Sequence, residues 1–116
     1  MNEFLIAIHR DLKSKDAQPS PEKMQATIKL FQDWIGGIAA QNKLVMPPNR
    51  WDAGGKVIKH NSVTEGPYAE IKESLGGVIL IRAEDYDDAV EIAKGCPILD
   101  WGATLEVRMA VSAPVQ

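Results

Sequence analysis

The sequence predicts an α+β domain in which an antiparallel sheet carries two helices on one face. Three observations lead there. Strand-like apolar patterns occupy Phe4–His9, Val78–Ile81 and Thr104–Val111, apolar residues recur at helical spacing from Met24 to Ile38, and a shorter capped helix separates the last two strands. At 116 residues the chain has room for one core, so residues 1–116 are expected to form a single domain.

Each element has a local reason. In Phe4-Leu5-Ile6-Ala7-Ile8-His9, Phe4, Ile6 and Ile8 fall on one face of a strand and Leu5, Ala7 and His9 on the other. Both faces are largely apolar, which predicts cover on both sides. Asp11 to Ala17 reads as a polar loop. Ser20-Pro21-Glu22 starts a helix: the hydroxyl accepts from an early amide, Pro21 suits the first turn, and Glu22 complements the positive helix end. Met24, Ile28, Phe31, Ile35 and Ile38 form its apolar stripe, widened by Leu30 and Trp34, and it is expected to run to Gln41. Gly36-Gly37 either permit close backbone packing or mark a break.

The run from Leu44 to Trp51 meets Pro47-Pro48, which confines pairing to an edge or a bulge. Turn chemistry at Asp52–Gly55 then predicts a hairpin whose second strand is Lys56–Val63, centred on Val57-Ile58. Gly76-Gly77 precede Val78–Ile81, a continuous apolar run expected to be a central strand buried on both faces. Asp85 caps a second helix with Asp87 and Asp88 in its first turn and Tyr86, Ala89, Val90 and Ala93 inward. Gly95 and Pro97 end it. Thr104–Val111 alternates, with Leu105, Val107, Met109 and Val111 inward and Glu106 and Arg108 on the opposite face.

The order β-α-β-β-β-α-β is close to the split βαβ, ferredoxin-like plan. Two helices cover one face of such a sheet, so the other apolar face predicts a homodimer, sheet against sheet. The charges, 13 Lys+Arg against 16 Asp+Glu for a net −3, argue against nucleic acid as a partner. No run reaches the ~18 apolar residues of a membrane span, and the Met1–Phe4 start has no basic-then-apolar leader, so a cytoplasmic location is expected. The single Cys excludes an internal disulfide and a paired-Cys zinc site, and none of the Gly-Gly pairs fits a phosphate loop, so no cofactor is expected.

From Thr64 to Gly77 (Thr64-Glu65-Gly66-Pro67-Tyr68-Ala69-Glu70-Ile71-Lys72-Glu73-Ser74-Leu75-Gly76-Gly77) the sequence resembles the YCII-related family. More narrowly it is similar to the branch named for an Asp-Gly-Pro-Phe motif. The likeness continues through Val78–Ile81, Asp88-Ala89, Ala93, Cys96-Pro97 and Glu106-Val107-Arg108. Glu65 stands where the branch has Asp, one methylene longer, and Tyr68 where it has Phe. The resemblance implies a dimeric α+β barrel. A related branch includes a dehydrochlorinase of chlorinated hydroxyquinols, whose proposed acid–base pair is a His on the first helix with an Asp. Pro21–Gln41 contains no His, so that pair does not carry over. Some members of the Asp-Gly-Pro-Phe branch are linked to transcription initiation.

His9, at a strand end, is a candidate acid–base residue because imidazole is the side chain suited to proton exchange near neutrality. Its alternative is a histidine bonded to a neighbouring loop. Glu65, held between Thr64 and the rigid Gly66-Pro67, is the second catalytic candidate; its alternative is a turn carboxylate that is solvated or paired with Lys72 or Arg108. Tyr68, Glu70 and Lys72 alternate and, with Arg108, are candidate ligand-binding residues for an anionic or phenolic molecule; the alternative is a charged surface ladder, and Arg82 shares that ambiguity. His60 reads as a lone exposed histidine, and His9, His60 and Glu65 have no metal-site spacing. Cys96 reads as a buried small hydrophobe. Trp51 and Trp101 are expected in loops, walling a pocket or a dimer rim. Two functions follow: a homodimer that binds a small aromatic or hydroxy or keto acid, with acid–base elimination or isomerisation as its enzymatic form, and a non-catalytic binding or regulatory module.

Overall fold

The structure, a computed structural model, describes residues 1–10, 20–46, 48, 49, 51, 54–66 and 74–111. In chain order the elements are β1 (Asn2–Arg10), α1 (Pro21–Ala40), β2 (Leu44–Met46), β3 (Gly55–Lys59), β4 (Ser62–Gly66), β5 (Ser74–Ala83), α2 (Tyr86–Ala93), a 3₁₀ turn (Pro97–Trp101) and β6 (Thr104–Met109). Four strands form an antiparallel sheet in the order β2-β5-β1-β6, and β3-β4 form a second, two-stranded sheet. β1 and β2 both run antiparallel to β5, which lies between them. They are therefore parallel to each other and joined through α1, which is the split βαβ arrangement. The fold is α+β and ferredoxin-like, as the element order predicts.

Alternation along β1 decides what is buried. Phe4, Ile6 and Ile8 point to the helices together with Ile79, Ile81 and Ala83 of β5, and they meet Ile38 of α1 and Ala89 and Ala93 of α2. Phe4, Ile6, Ile79 and Ile81 are fully enclosed, each contributing about 1.5–3 kcal/mol of transfer free energy. Both helices join this one cluster, so both lie on the same face of the sheet. Caps fix their starts: Ser20 Oγ accepts from the Lys23 amide at 3.3 Å and Asp85 Oδ1 from the Asp88 amide at 2.8 Å. Trp34 ties α1 to the end of α2 by donating from Nε1 to the Ile92 carbonyl at 2.9 Å.

The hairpin differs from expectation. Leu44–Met46 does not pair with Lys56–Val63; it is the edge strand beside β5. The hairpin instead turns at His60-Asn61, with Lys59 opposite Ser62. Its arms place β-branched Val57 and Ile58 against Thr64 and Val63, so the segment expected as one strand is two strands folded on a two-residue polar turn. Asp52 and Ala53 of the expected turn, and the expected loop Asp11–Ala17, lie outside the described residues.

Three smaller differences follow from geometry. On α1, Phe31, Trp34, Ile35 and Ile38 reach the core, whereas Met24 and Ile28 stay exposed. The helix meets the body through its C-terminal half, where it packs on the 3₁₀ turn and leads into β2. It runs unbroken through Gly36-Gly37, and a Cβ on either glycine meets nothing within 4 Å. On α2, Ile92 packs against the core and Val90 faces out. β6 stops at Met109, and Val111 is exposed. Its partner β1 begins at Asn2, and the last bond across that edge runs from the Ala110 amide to the Glu3 carbonyl at 2.8 Å.

Candidate acid–base site on the open sheet face

Residues opposite one another in antiparallel strands share a face. Leu5 is flanked by Leu80 and Arg108, Ala7 by Val78 and Glu106, and Glu3 by Arg82. These residues and His9 make up the face turned away from the helices. Its floor is apolar: Ala7 is buried, and Leu5, Val78 and Leu80 are half-buried. Arg82 is half-buried at one end.

A polar cluster occupies the other end of that face. His9 sits opposite Thr104, one pleat beyond the Ala7–Glu106 pair, so its ring reaches Glu106 diagonally. His9 Nε2 lies 3.1 Å from Glu106 Oε1. The other carboxylate oxygen, Oε2, is 3.4 Å from Arg108 Nε, two residues further along the same strand face. His9 is 29% exposed and Glu106 48%, so the cluster is accessible to a ligand while held by the sheet.

A β-bulge sits beside it. Ile8 pairs with Gly77 but His9 with Leu75, which leaves Gly76 as the extra residue of β5. The Arg10 side chain covers Gly76, with Cδ 3.4 Å from where a Cβ would be, and its guanidinium lies 5.2 Å from the centre of the Trp101 ring. The extra residue is in β5, and His9 faces the open side by its place in the β1 alternation, two residues after Ala7.

The predicted site residues fall into three groups. His9 and Arg108 are brought together through Glu106. Glu65 lies on the separate hairpin, exposed and ion-paired with Lys56 of β3, while Arg108 pairs with Glu106. Lys72, the other partner expected for Glu65, lies outside the described residues, as do Tyr68 and Glu70. Glu106 is the residue that sequence reasoning passed over. Alternation places it on the face of Arg108, but its meeting with His9, 97 residues away, depends on the β1–β6 register, which no local pattern encodes.

The remaining candidates have structural surroundings. His60 is exposed at the hairpin turn, and Trp51 is exposed. Cys96 is buried, and that burial raises its thiol pKa above the ordinary cysteine value, which favours the protonated, unreactive form. Among the described residues no three His, Cys, Asp or Glu side chains gather as metal ligands. No described helix is long and apolar enough to cross a membrane.

Among solved structures, the chain is similar to 5-chloro-2-hydroxyhydroquinone dehydrochlorinase from Burkholderia phenoliruptrix AC1100, determined in complex with 2,5-dihydroxybenzoquinone. The TM-score is 0.52 at 14% identity, with 96% of this chain and 95% of that one covered. That likeness is one of fold. Comparison with curated proteins found no match. The family model for the YCII-related domain matches residues 5–111, nearly the whole chain, and the protein belongs to that family.

Proposed function

We propose that the protein binds a small hydroxylated aromatic or keto acid on the open sheet face and that His9 exchanges a proton with it, in an elimination or an isomerisation. The observation that carries this reading is the His9–Glu106–Arg108 cluster beside an apolar floor. The floor takes the flat apolar part of a ligand, the imidazole supplies acid–base chemistry, and the carboxylate between two cationic or proton-donating groups keeps them in place. A homodimer formed across this face would enclose the site; the half-buried Leu5, Val78 and Leu80 support that arrangement. Glu65, in the segment that resembles the Asp-Gly-Pro-Phe motif, is proposed as a second acid–base residue, and Tyr68, Glu70 and Lys72 as ligand contacts.

The test is a thermal-shift panel of phenols, hydroxybenzoates, hydroxyquinones and keto acids. A ligand present at 100 times its Kd stabilises by about 2.7 kcal/mol, a readily measured rise in Tm. The rise should disappear in Arg108→Met or Leu80→Asp, and turnover of the bound compound should disappear in His9→Asn. Binding that survives both surface variants would remove the open face from consideration. Retention of binding with no turnover in the wild type would favour the non-catalytic reading.

A further inference from the structure

We propose that Glu106 holds His9 as the tautomer protonated on Nε2, leaving Nδ1 as the nitrogen that meets the hydroxyl of a bound ligand. The inference deepens the reading of the open face as a ligand site and rests on it. An ionised carboxylate can only accept hydrogen bonds, so the ring nitrogen 3.1 Å from Glu106 Oε1 must be the donor. In a neutral imidazole the other nitrogen is then an acceptor. Arg108, whose guanidinium is always charged, ion-pairs with Glu106 Oε2 and keeps the carboxylate turned toward the ring.

Nδ1 has no hydrogen-bond partner among the described residues, and no unpartnered side-chain nitrogen or oxygen there is buried. It is therefore open to an incoming group. The ligand chemistry that fits is an acidic hydroxyl, phenolic or enolic. In the step itself the ligand O–H bond breaks and an Nδ1–H bond forms. The ligand becomes an oxyanion, and the ring becomes an imidazolium whose Nε2–H still faces Glu106. Reverse transfer, to the same oxygen or to a carbon of the enolate, restores the neutral ring. Glu106 acts through His9 and is a positioning residue.

Multiple-bond ¹H–¹⁵N correlation spectra of the ¹⁵N-labelled full chain at about pH 9, where an ordinary imidazole is neutral, read the tautomer directly. The chain has two histidines, and exposed His60 is the internal reference. His9 is expected as the Nε2–H form alone beside a mixture at His60. Glu106→Ala should return His9 to that mixture, while Glu106→Gln, which retains an acceptor oxygen, should preserve the bias. Glu106 is 48% exposed, so its removal leaves the core intact. A wild-type His9 that is protonated on Nδ1, or as mixed as His60, overturns the inference without any variant, as does a bias unchanged in Glu106→Ala.

The ligand half is read by adding phenol or anisole. Phenol should move the Nδ1 resonance and anisole, which lacks the proton, should not; equal shifts, or none, overturn it. Failure of the whole ligand panel defeats the open face as a site while the tautomer bias stands. A wrong tautomer defeats this inference while ligand-induced stabilisation stands.

Discussion

A methyl group on Gly95 would lie 2.8 Å from both Cδ1 and Nε1 of Trp34. The indole cannot retreat without losing its bond to the Ile92 carbonyl and its edge contact with Phe31, whose ring centre is 5.5 Å away. Gly95→Ala should therefore cost about 1–3 kcal/mol, as overpacking does. Trp34→Phe should cost about 1 kcal/mol for the lost hydrogen bond and should relieve part of the Gly95→Ala penalty in the double variant. Urea denaturation of the four proteins checks both statements, and strict additivity would refute the contact. Asp88 makes a different residue-scale prediction. The Glu84 amide, which donates to Asp88 Oδ2 at 2.9 Å, is the main cause that holds this carboxyl below the ordinary aspartate range; desolvation, the next in size, opposes it, and Lys43 adds to the lowering. A carboxyl depressed in the folded state stabilises above its unfolded value, and that stabilisation is lost as pH falls through the folded one. Acidification below about pH 4 should thus weaken the wild type more than Asp88→Asn, measured as the slope of Tm against pH.

At the scale of elements, α1 offers a direct experiment. Gly36 and Gly37 are exposed in mid-helix with nothing within 4 Å of an added Cβ. Gly36→Ala should stabilise the chain by about 0.5–1 kcal/mol, the ordinary helix-propensity gain. A loss instead would mean that another molecule packs on that glycine pair. The elements also show what could be read from the chain. Helix starts were legible because Ser20-Pro21 and Asp85 carry their capping chemistry locally, and β1 and β5 were legible because both of their faces are apolar. The hairpin departs from expectation because its turn, His60-Asn61, lacks the glycine that advertises such turns, whereas Asp52–Gly55 carries two. Met24 and Ile28 satisfy the helical stripe as well as Ile38 does. Which half of the stripe becomes core depends on where the helix crosses the body, and periodicity carries no information about that. The site divides in the same way. His9 and Arg108 were visible as residue types on strand faces, but Glu106 became their link only through register.

At the scale of the whole molecule, the sheet has one face closed by helices and one lined by Leu5, Ala7, Val78 and Leu80. The proposed two-fold assembly across that second face predicts a dimer at micromolar concentration by sedimentation velocity. Leu80→Asp should halve the sedimenting mass while circular dichroism remains that of a folded chain, since the Leu80 side chain lies outside the helix-side core. A monomeric wild type would discard the assembly. The hairpin bears on the molecule in another way. The order β2-β5-β1-β6 closes without β3 and β4, whose hydrogen-bonded ladder is entirely their own. The protein is thus divided into a chassis and an attachment. His9 and Glu106 belong to the chassis, where any change of register would disturb Phe4, Ile6 and Ile8 as well. Glu65 rides on the attachment, which can lengthen, shorten or change its side chains while leaving the ladders of the main sheet intact. The hairpin can therefore vary in sequence without disturbing the main sheet, whereas a change in β1 reaches the core and the His9–Glu106 pair together.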